Sequence, residues 1–264
     1  MNTGGRVPGK ACIVTGGAQG IGEAIGRGLV NEGASVTVAD VNFAKAETVA
    51  ADLRKSGSKA IAVQVDVTKR DQVRALVERT VREFGKLDVI FNNAGVNRPE
   101  DFLETSEENW HFIMGVNALG VLIGMQEAAK QMIRQGTGGK IINTSSVAAR
   151  QGFENMACYC ASKFAVVALT QTAARHLAKH GITVNGFSPG VVNTPLWEKL
   201  DEDLMRLGVS SKKGEAMTSF STTILLGRPA TPQDIVPTAL FLASSDSDYV
   251  TGQIMAIDGG QILV

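Results

Sequence analysis

The sequence predicts a single α/β domain built on a doubly wound parallel sheet of about seven strands, with helices on both faces. Three observations predict it. Short apolar runs without polar alternation recur between amphipathic stretches, as strands buried on both faces require. The first such run passes through a glycine-rich loop straight into a helical pattern, the order in which a sheet edge offers a helix N-terminus to a phosphate. No linker, repeat or low-complexity segment divides the 264 residues, so one unit accounts for the chain.

The first element follows a false signal. Residues 4–10, GGRVPGK, carry the spacing of a P-loop, but Ala11 stands where a Ser or Thr must hold magnesium, and the segment precedes the strand instead of following it. It reads as a flexible N-terminal turn. Ala11 to Thr15 (ACIVT) is the first strand, followed by TGGAQGIG and a helix with Ile21, Ala24, Ile25, Leu29 and Val30 on one face. In that loop Gly16 permits the tight turn, Gly20 lets the backbone approach a pyrophosphate and Gly22 allows close helix packing. The spacing is GxxxGxG and not GxGxxG, so a glycine loop without a ligand also fits.

Ser35 to Asp40 is the second strand, ending in an acidic residue 18 positions after Gly22, where a carboxylate takes the adenosine ribose hydroxyls. Asp40 repels a 2′-phosphate, and Gln19, Val41 and Asn42 supply no cation to accept one, so NAD is favoured over NADP. A helix from Phe43 to Ser56, a strand from Ala60 to Asp66, a helix from Arg70 to Phe84 and a strand from Val89 to Asn92 continue the alternation. Asp66 and the FNNAG stretch fall at strand C-terminal ends, the edge where such sheets bind ligands, although turn chemistry also explains them.

A helical region from Ser106 to Gln135 comes next, interrupted by Gly115, Gly120 and Gly124, with the amide Asn117 among apolar neighbours that oblige it to find partners. Lys140 to Thr144 is the fifth strand and delivers Ser145 and Ser146 to the ligand edge. The following helix, to about His180, is apolar nearly all round, which places its outer side either in a deep core or against a partner subunit. Thr183 to Ser188 is the sixth strand, Thr231 to Ala243 a helix with Pro232 at its start, and Ile254 to Ile257 the seventh strand. Between them, residues 195–226 become charged and amphipathic and suggest a lid over the site, or a peripheral helical hairpin.

Composition narrows the class. Net charge is zero and the lysines and arginines are scattered, which speaks against nucleic acid or an anionic membrane. No signal peptide and no membrane-spanning run are expected, and the three cysteines make no disulfide framework, so a reducing cytoplasm is the default. His176 and His180 lack a carboxylate ligand motif and read as a last helical turn; no metal is assigned.

Tyr159 and Lys163 stand four residues apart on that apolar helix and so share a face. An ammonium at about 4 Å and an effective dielectric near 20 is worth roughly 4 kcal/mol to a phenolate, or roughly 3 pKa units, enough to bring a phenol near 7. The same spacing fits an ordinary helix with a surface lysine.

Taken together, TGGAQGIG, Asp66, NNAG, Asn117, Ser146, Tyr159-x-x-x-Lys163, the Pro189-Gly190 pair with Thr194, and the terminal DGG resemble a short-chain dehydrogenase/reductase, in order and spacing, over essentially the whole chain. The resemblance implies a Rossmann-like fold and a division of labour. Tyr159 moves the proton on the substrate oxygen, Ser146 stabilises that oxygen's charge, Lys163 lowers the tyrosine pKa and holds the nicotinamide ribose, and Asn117 holds a relay water. It further implies a dinucleotide set of Gly16, Gln19, Gly20, Ile21, Gly22, Asp40, Asp66, Val67, Asn92, Ala94, Gly95, Pro189, Gly190, Val192 and Thr194, besides Tyr159 and Lys163. A homotetramer is the expected assembly, and a small molecule the substrate.

Within that family GGKIIN at 138–143, the stretch 169–197 and SDYVTGQ at 247–253 are similar to acetoin/2,3-butanediol and polyol (sorbitol-type) dehydrogenases. Val147 and Phe153 depart from that pattern, exchanging polar pocket contacts for apolar ones, while Gln151, Asn97 and Trp197 remain candidate substrate contacts. The leading expectation is an NAD-dependent secondary-alcohol dehydrogenase. A 3-oxoacyl or cyclic-ketone reductase and a non-catalytic dinucleotide-binding regulator are the alternatives.

Overall fold

The computed structural model describes residues 5–55 and 57–263. Seven parallel strands form one sheet in the order β3-β2-β1-β4-β5-β6-β7. They are β1 (Ala11–Thr15), β2 (Ser35–Asp40), β3 (Ala60–Gln64), β4 (Val89–Asn92), β5 (Gly139–Thr144), β6 (Ile182–Pro189) and β7 (Ile254–Ile257). The central strands β1 and β4 are buried along their whole length, whereas the edge strands β3 and β7 are partly open. The order reverses between β1 and β4, opening a crevice at the strand C-termini there.

Nine α-helices run through the described residues: α1 (Gly20–Asn31), α2 (Phe43–Lys55), α3 (Arg70–Phe84), α4 (Glu107–Met114), α5 (Gly120–Gln135), α6 (Ala157–Leu177), α7 (Pro195–Arg206), α8 (Glu215–Ser221) and α9 (Pro232–Ala243). The expected end of α2 at Ser56 lies outside the described residues. Strand alternation splits the core in two. Val14, Val36, Phe91 and Ile142 pack with Ile25, Leu29, Val49, Ile235 and Leu240 from α1, α2 and α9. Ile13, Ile90 and Ile141 face Leu76, Val121, Met125, Met132 and Val166 from α3, α5 and α6 on the opposite side.

Several expectations change. Of the segment before β1, the described residues 5–10 are docked and not flexible: Val7 is fully buried, its N–H donates to the Glu32 carbonyl, and Gly9 N–H donates to the Gly33 carbonyl. The glycines between 115 and 124 do not interrupt the helix. They continue it through a π-helical turn, Gly115–Leu119, and let it approach the sheet, since a Cβ at Gly120 would stand 2.7 Å from Val67 Cγ2 and one at Gly124 would stand 2.0 Å from Asn92 Oδ1. This continuous stretch, Glu107–Gln135, is long and apolar enough to cross a membrane by composition, yet most of its apolar window is buried in the core. On α6 the sheet buries one face only; Phe164 and Ala168 on the other are exposed in the single chain.

Helices α7 and α8 build a third apolar cluster outside the sheet. Leu200, Leu204 and Ala216 pack on Ala148, Met156 and Cys160 beside Tyr159. The buried Asp201 carboxylate ties the pair together, accepting from Gly214 N–H at 2.6 Å and Ala216 N–H at 3.3 Å at the start of α8.

Candidate active site

The crevice holds a cavity of about 860 Å³ lined from the glycine loop through β2, β4 and β5 to the turn after β6. Its floor is built by backbone needs that sequence chemistry meets. Gly16 and Gly20 adopt φ of +62° and +57°, the left-handed region that side chains resist. A Cβ at Gly16 would stand 2.8 Å from Ala94 Cα, and one at Gly22 would stand 2.1 Å from the Gly16 carbonyl oxygen. Gln19 at the start of α1 makes no capping bond with its side chain, so the first N–H groups of that helix stay available to an anion. This cradle fits a pyrophosphate and admits nothing bulkier than glycine in its own wall.

Asn93 ties the cradle to β4. Its N–H donates to Thr15 Oγ1 at 3.0 Å, its amide donates to the Thr15 and Gly16 carbonyls, and its Oδ1 accepts from Thr144 Oγ1. Asn92, the residue expected here, does not line the cavity: adjacent strand residues face opposite ways, and its amide turns into the core to donate to Asn143 Oδ1 at 2.9 Å. Gln19, Ile21, Asp40, Asp66, Val67, Ala94, Gly95, Pro189, Gly190, Val192 and Thr194 all line the cavity as expected. Gly22 lies beneath it as a packing residue. Asp40 accepts from the N–H groups of Ala18 and Asn42. Lys45, absent from the sequence reading, donates to Gln19 Oε1 at 3.1 Å at the same end.

Ser146, Tyr159 and Lys163 converge where β5 and α6 meet the cavity. Ser146 Oγ accepts from Ala148 N–H at 3.1 Å, capping the short turn Val147–Ala149, and lies near enough to the Tyr159 hydroxyl to lower its pKa. Ser145, by contrast, spends its hydroxyl on the Lys163 carbonyl. Lys163 Nζ donates to the Thr144 carbonyl at 3.0 Å and stands 5.6 Å from the Tyr159 ring centroid.

The pKa expectation needs correction. Burial pushes the Tyr159 phenol up to about 12, opposed by the hydrogen bond from Ser146, and pushes the Lys163 ammonium down to about 8. Tyr159 is partly open to the cavity, yet the protein packed around it disfavours the charged phenolate. The charge arithmetic omitted that cost of desolvation, which in a closed site outweighs an ammonium at this distance. The pair is therefore a neutral phenol beside a readily deprotonated lysine.

Asn117, placed in the π-helical turn, is fully buried and does not line the cavity. Its Oδ1 accepts from Val96 N–H, and its amide donates to the Val96 carbonyl and to Ser162 Oγ, each near 3 Å. Its side chain thus fastens the loop after β4 to Ser162 on α6.

A smaller annexe of about 70 Å³ opens beside Ser146 and Tyr159 under α7 and α8. Val147, Phe153, Asn97 and Trp197 line it as expected. Phe220 from α8 closes it, with ring centroids 5.5 Å from Trp197 and 5.9 Å from Phe153. Gln151 is exposed in the bend before Phe153 and does not reach the annexe. Met156, Phe220 and Gln261 line it without any sequence signal, because their approach depends on how 195–226 and the C-terminal turn fold back. His111 on α4 also lines the main cavity, without a sequence signal.

Known proteins share this arrangement. A diacetyl reductase [(S)-acetoin forming] of Staphylococcus epidermidis is 42% identical over 253 residues, covering 96% of this chain and 98% of that protein. An L-2,3-butanediol dehydrogenase of Corynebacterium glutamicum is 40% identical over 96% of this chain and 98% of its own length. A galactitol 2-dehydrogenase of Agrobacterium fabrum is 39% identical over 97% and 98%. The crystal structure of a short-chain type dehydrogenase/reductase from Mycobacterium marinum superimposes with a TM-score of 0.89 at 35% identity, covering 98% of this chain and 97% of that one. A family model described as enoyl-(acyl carrier protein) reductase matches residues 16–261. With the glycine cradle, the Ser146–Tyr159–Lys163 cluster and these relatives in agreement, the chain belongs to the short-chain dehydrogenase/reductase family, oxidoreductases that work with a nicotinamide dinucleotide.

Proposed function

We infer that the protein is an NAD(H)-dependent dehydrogenase that interconverts a small secondary alcohol, of the vicinal diol or polyol class, with its ketone. The observation that carries this reading is the annexe. It joins Ser146 and Tyr159 to a space of about 70 Å³ walled by Phe153, Trp197 and Phe220, which suits a few carbon atoms and not a long acyl chain. Relatives named for acetoin, butanediol and galactitol support the same class.

Ser146 is oriented by the Ala148 N–H it accepts, and its hydroxyl proton, beside Tyr159, can turn to a substrate oxygen held between the two. Tyr159, neutral at physiological pH, donates a proton to that oxygen when a ketone is reduced and must first lose one to act as base when an alcohol is oxidised. Lys163 holds the hydrogen-bonding ground between Thr144 and the tyrosine ring. When bound, the nicotinamide supplies or accepts the hydride. The purified protein is expected to reduce NAD fastest with small vicinal diols and sugar alcohols, followed spectrophotometrically; a panel including cyclic and long-chain alcohols that yields no turnover with either cofactor sinks the reading.

The preference for NAD rests on Asp40, a carboxylate lining the cavity where a 2′-phosphate would have to stand. Lys45 is close enough to take that phosphate once the carboxylate is gone. Asp40→Ala is therefore expected to lower the NAD-to-NADP ratio of kcat/KM by about tenfold or more. A wild-type enzyme that already prefers NADP refutes the assignment. Assembly as a tetramer is part of the same proposal, supported by the exposed Trp110, Leu119 and Phe164 on α4, the π-helical turn and α6.

A further inference from the structure

Two polar atoms in the wall of the annexe are buried without a hydrogen-bond partner, Asn97 Oδ1 and Gln261 Oε1. Unpaired buried acceptors are rare in folded proteins because each forfeits its bonds to water. Here both are oxygens, and both belong to residues that line the space beside Ser146 and Tyr159. Two unpaired acceptors on the wall of one small cavity favour a ligand that brings donors.

Gln261 is held in this orientation by its surroundings. Its Nε2 donates to the Phe220 carbonyl at 3.1 Å, and the reverse assignment would set two acceptors against each other, so the oxygen is the atom left without a partner. The turn that carries it is anchored on every side. Asp258 accepts from Gly260 and Ile262 N–H, Leu226 N–H donates to the Gly259 carbonyl, and Gly190 N–H donates to the Ile257 carbonyl. Gly190 also makes the space for the amide: a Cβ at that position would stand 2.8 Å from Gln261 Oε1. A residue near the C-terminus is thus inserted, through the lack of a side chain at 190, between α8 and the reacting groups.

We propose that Gln261 is a specificity-determining residue that accepts a hydrogen bond from the second hydroxyl of a vicinal diol or α-hydroxyketone, the hydroxyl that does not react, with Asn97 offering a second acceptor to polyols. The inference rests on the dehydrogenase reading above and deepens it. An acceptor oxygen rewards a hydroxyl and gains nothing from an alkyl group, so the site discriminates by the group beside the reacting carbon.

The test compares 2,3-butanediol with 2-butanol, which differ by that hydroxyl, and follows NAD reduction by the wild-type enzyme and by Gln261→Met and Asn97→Leu. The wild type is expected to favour the diol, and Gln261→Met to lower the diol-to-monoalcohol ratio of kcat/KM by about tenfold, since it leaves the second hydroxyl unpaired. Asn97→Leu is expected to lower the ratio for a sugar alcohol over 2,3-butanediol. A purely structural role, through the Phe220 contact, lowers both substrates alike; an unchanged ratio in Gln261→Met therefore overturns the proposal while leaving the dehydrogenase reading intact. If the variant does not fold, the wild-type ratio decides, because equal use of the two alcohols contradicts a diol-reading acceptor. A wild type inactive on both alcohols, and on every other alcohol tried, removes the dehydrogenase reading and the proposal with it.

Discussion

Tyr159→Phe is expected to lower turnover by about 10³-fold while leaving NADH binding, followed by fluorescence titration, within a few-fold of the wild type. The substitution removes one oxygen from the point where Ser146 and the substrate oxygen meet and leaves the ring in place against Phe153, Trp197 and Phe220. The direction of the pH dependence follows from the same group. Burial holds the phenol neutral, up to about 12 in the unliganded protein, so ketone reduction has its proton donor ready at neutral pH. Alcohol oxidation needs the phenolate, and its kcat is expected to climb with pH through the alkaline range. The residual activity of Tyr159→Phe should lack that rise. Turnover in the variant equal to that of the wild type would falsify the role given to Tyr159.

Lys163→Met is expected to cost at least about 10²-fold in kcat, since the tyrosine loses the cation 5.6 Å from its ring centroid. It also carries a stability signature that separates it from a generic lesion. The ammonium is buried and its pKa falls from 10.5 to about 8, so at neutral pH the fold bears the cost of an enclosed charge. Between about pH 8 and 10.5 the folded protein holds a neutral lysine while the unfolded chain still binds the proton. Stability from this group therefore rises with pH across that window, by about 3 kcal/mol in all. Lys163→Met cannot show this rise. Urea titrations of both proteins at pH 7.5, 9 and 10 should find the wild type gaining on the variant at each step. Tyr159 works in the opposite sense above pH 10, where the unfolded phenol ionises first, but it does so in both proteins and cancels in the comparison. Parallel stability curves for the two proteins count against a buried, neutralising lysine.

The two predictions draw on different kinds of information. Much of the scaffold was readable before any coordinate: β1, β2, β4, β7 and α3 have the boundaries that apolar runs and helical periodicity predict. Such signals are local, because a strand buried on both faces must be apolar throughout and an N-terminal proline such as Pro232 starts a helix wherever it lies. The glycine cradle was readable for the same reason. Its requirement is a backbone that can take φ of +62° at Gly16 and a wall without side chains, which only glycine satisfies.

Facing and desolvation were not readable, since both depend on what folds over a residue from elsewhere. FNNAG contains two adjacent asparagines, and only the pleat of β4 against α5 and the cradle turns Asn92 into the core and Asn93 toward the site. Gln151 is as polar and as close in sequence to the catalytic serine as a substrate contact should be, yet its bend leaves it in solvent, while Gln261 arrives from the far end of the chain. The spacing of Tyr159 and Lys163 established that the two share a helix face, and Coulomb's law then argued for an acidic phenol. Burial, set jointly by β5, α6, α7 and α8, reverses that sign. Sequence thus specified which groups could do the chemistry, because identity and local spacing are written in it; their ionisation and the choice of substrate came from neighbours distant in the chain, because solvent exclusion is a property of the assembled volume.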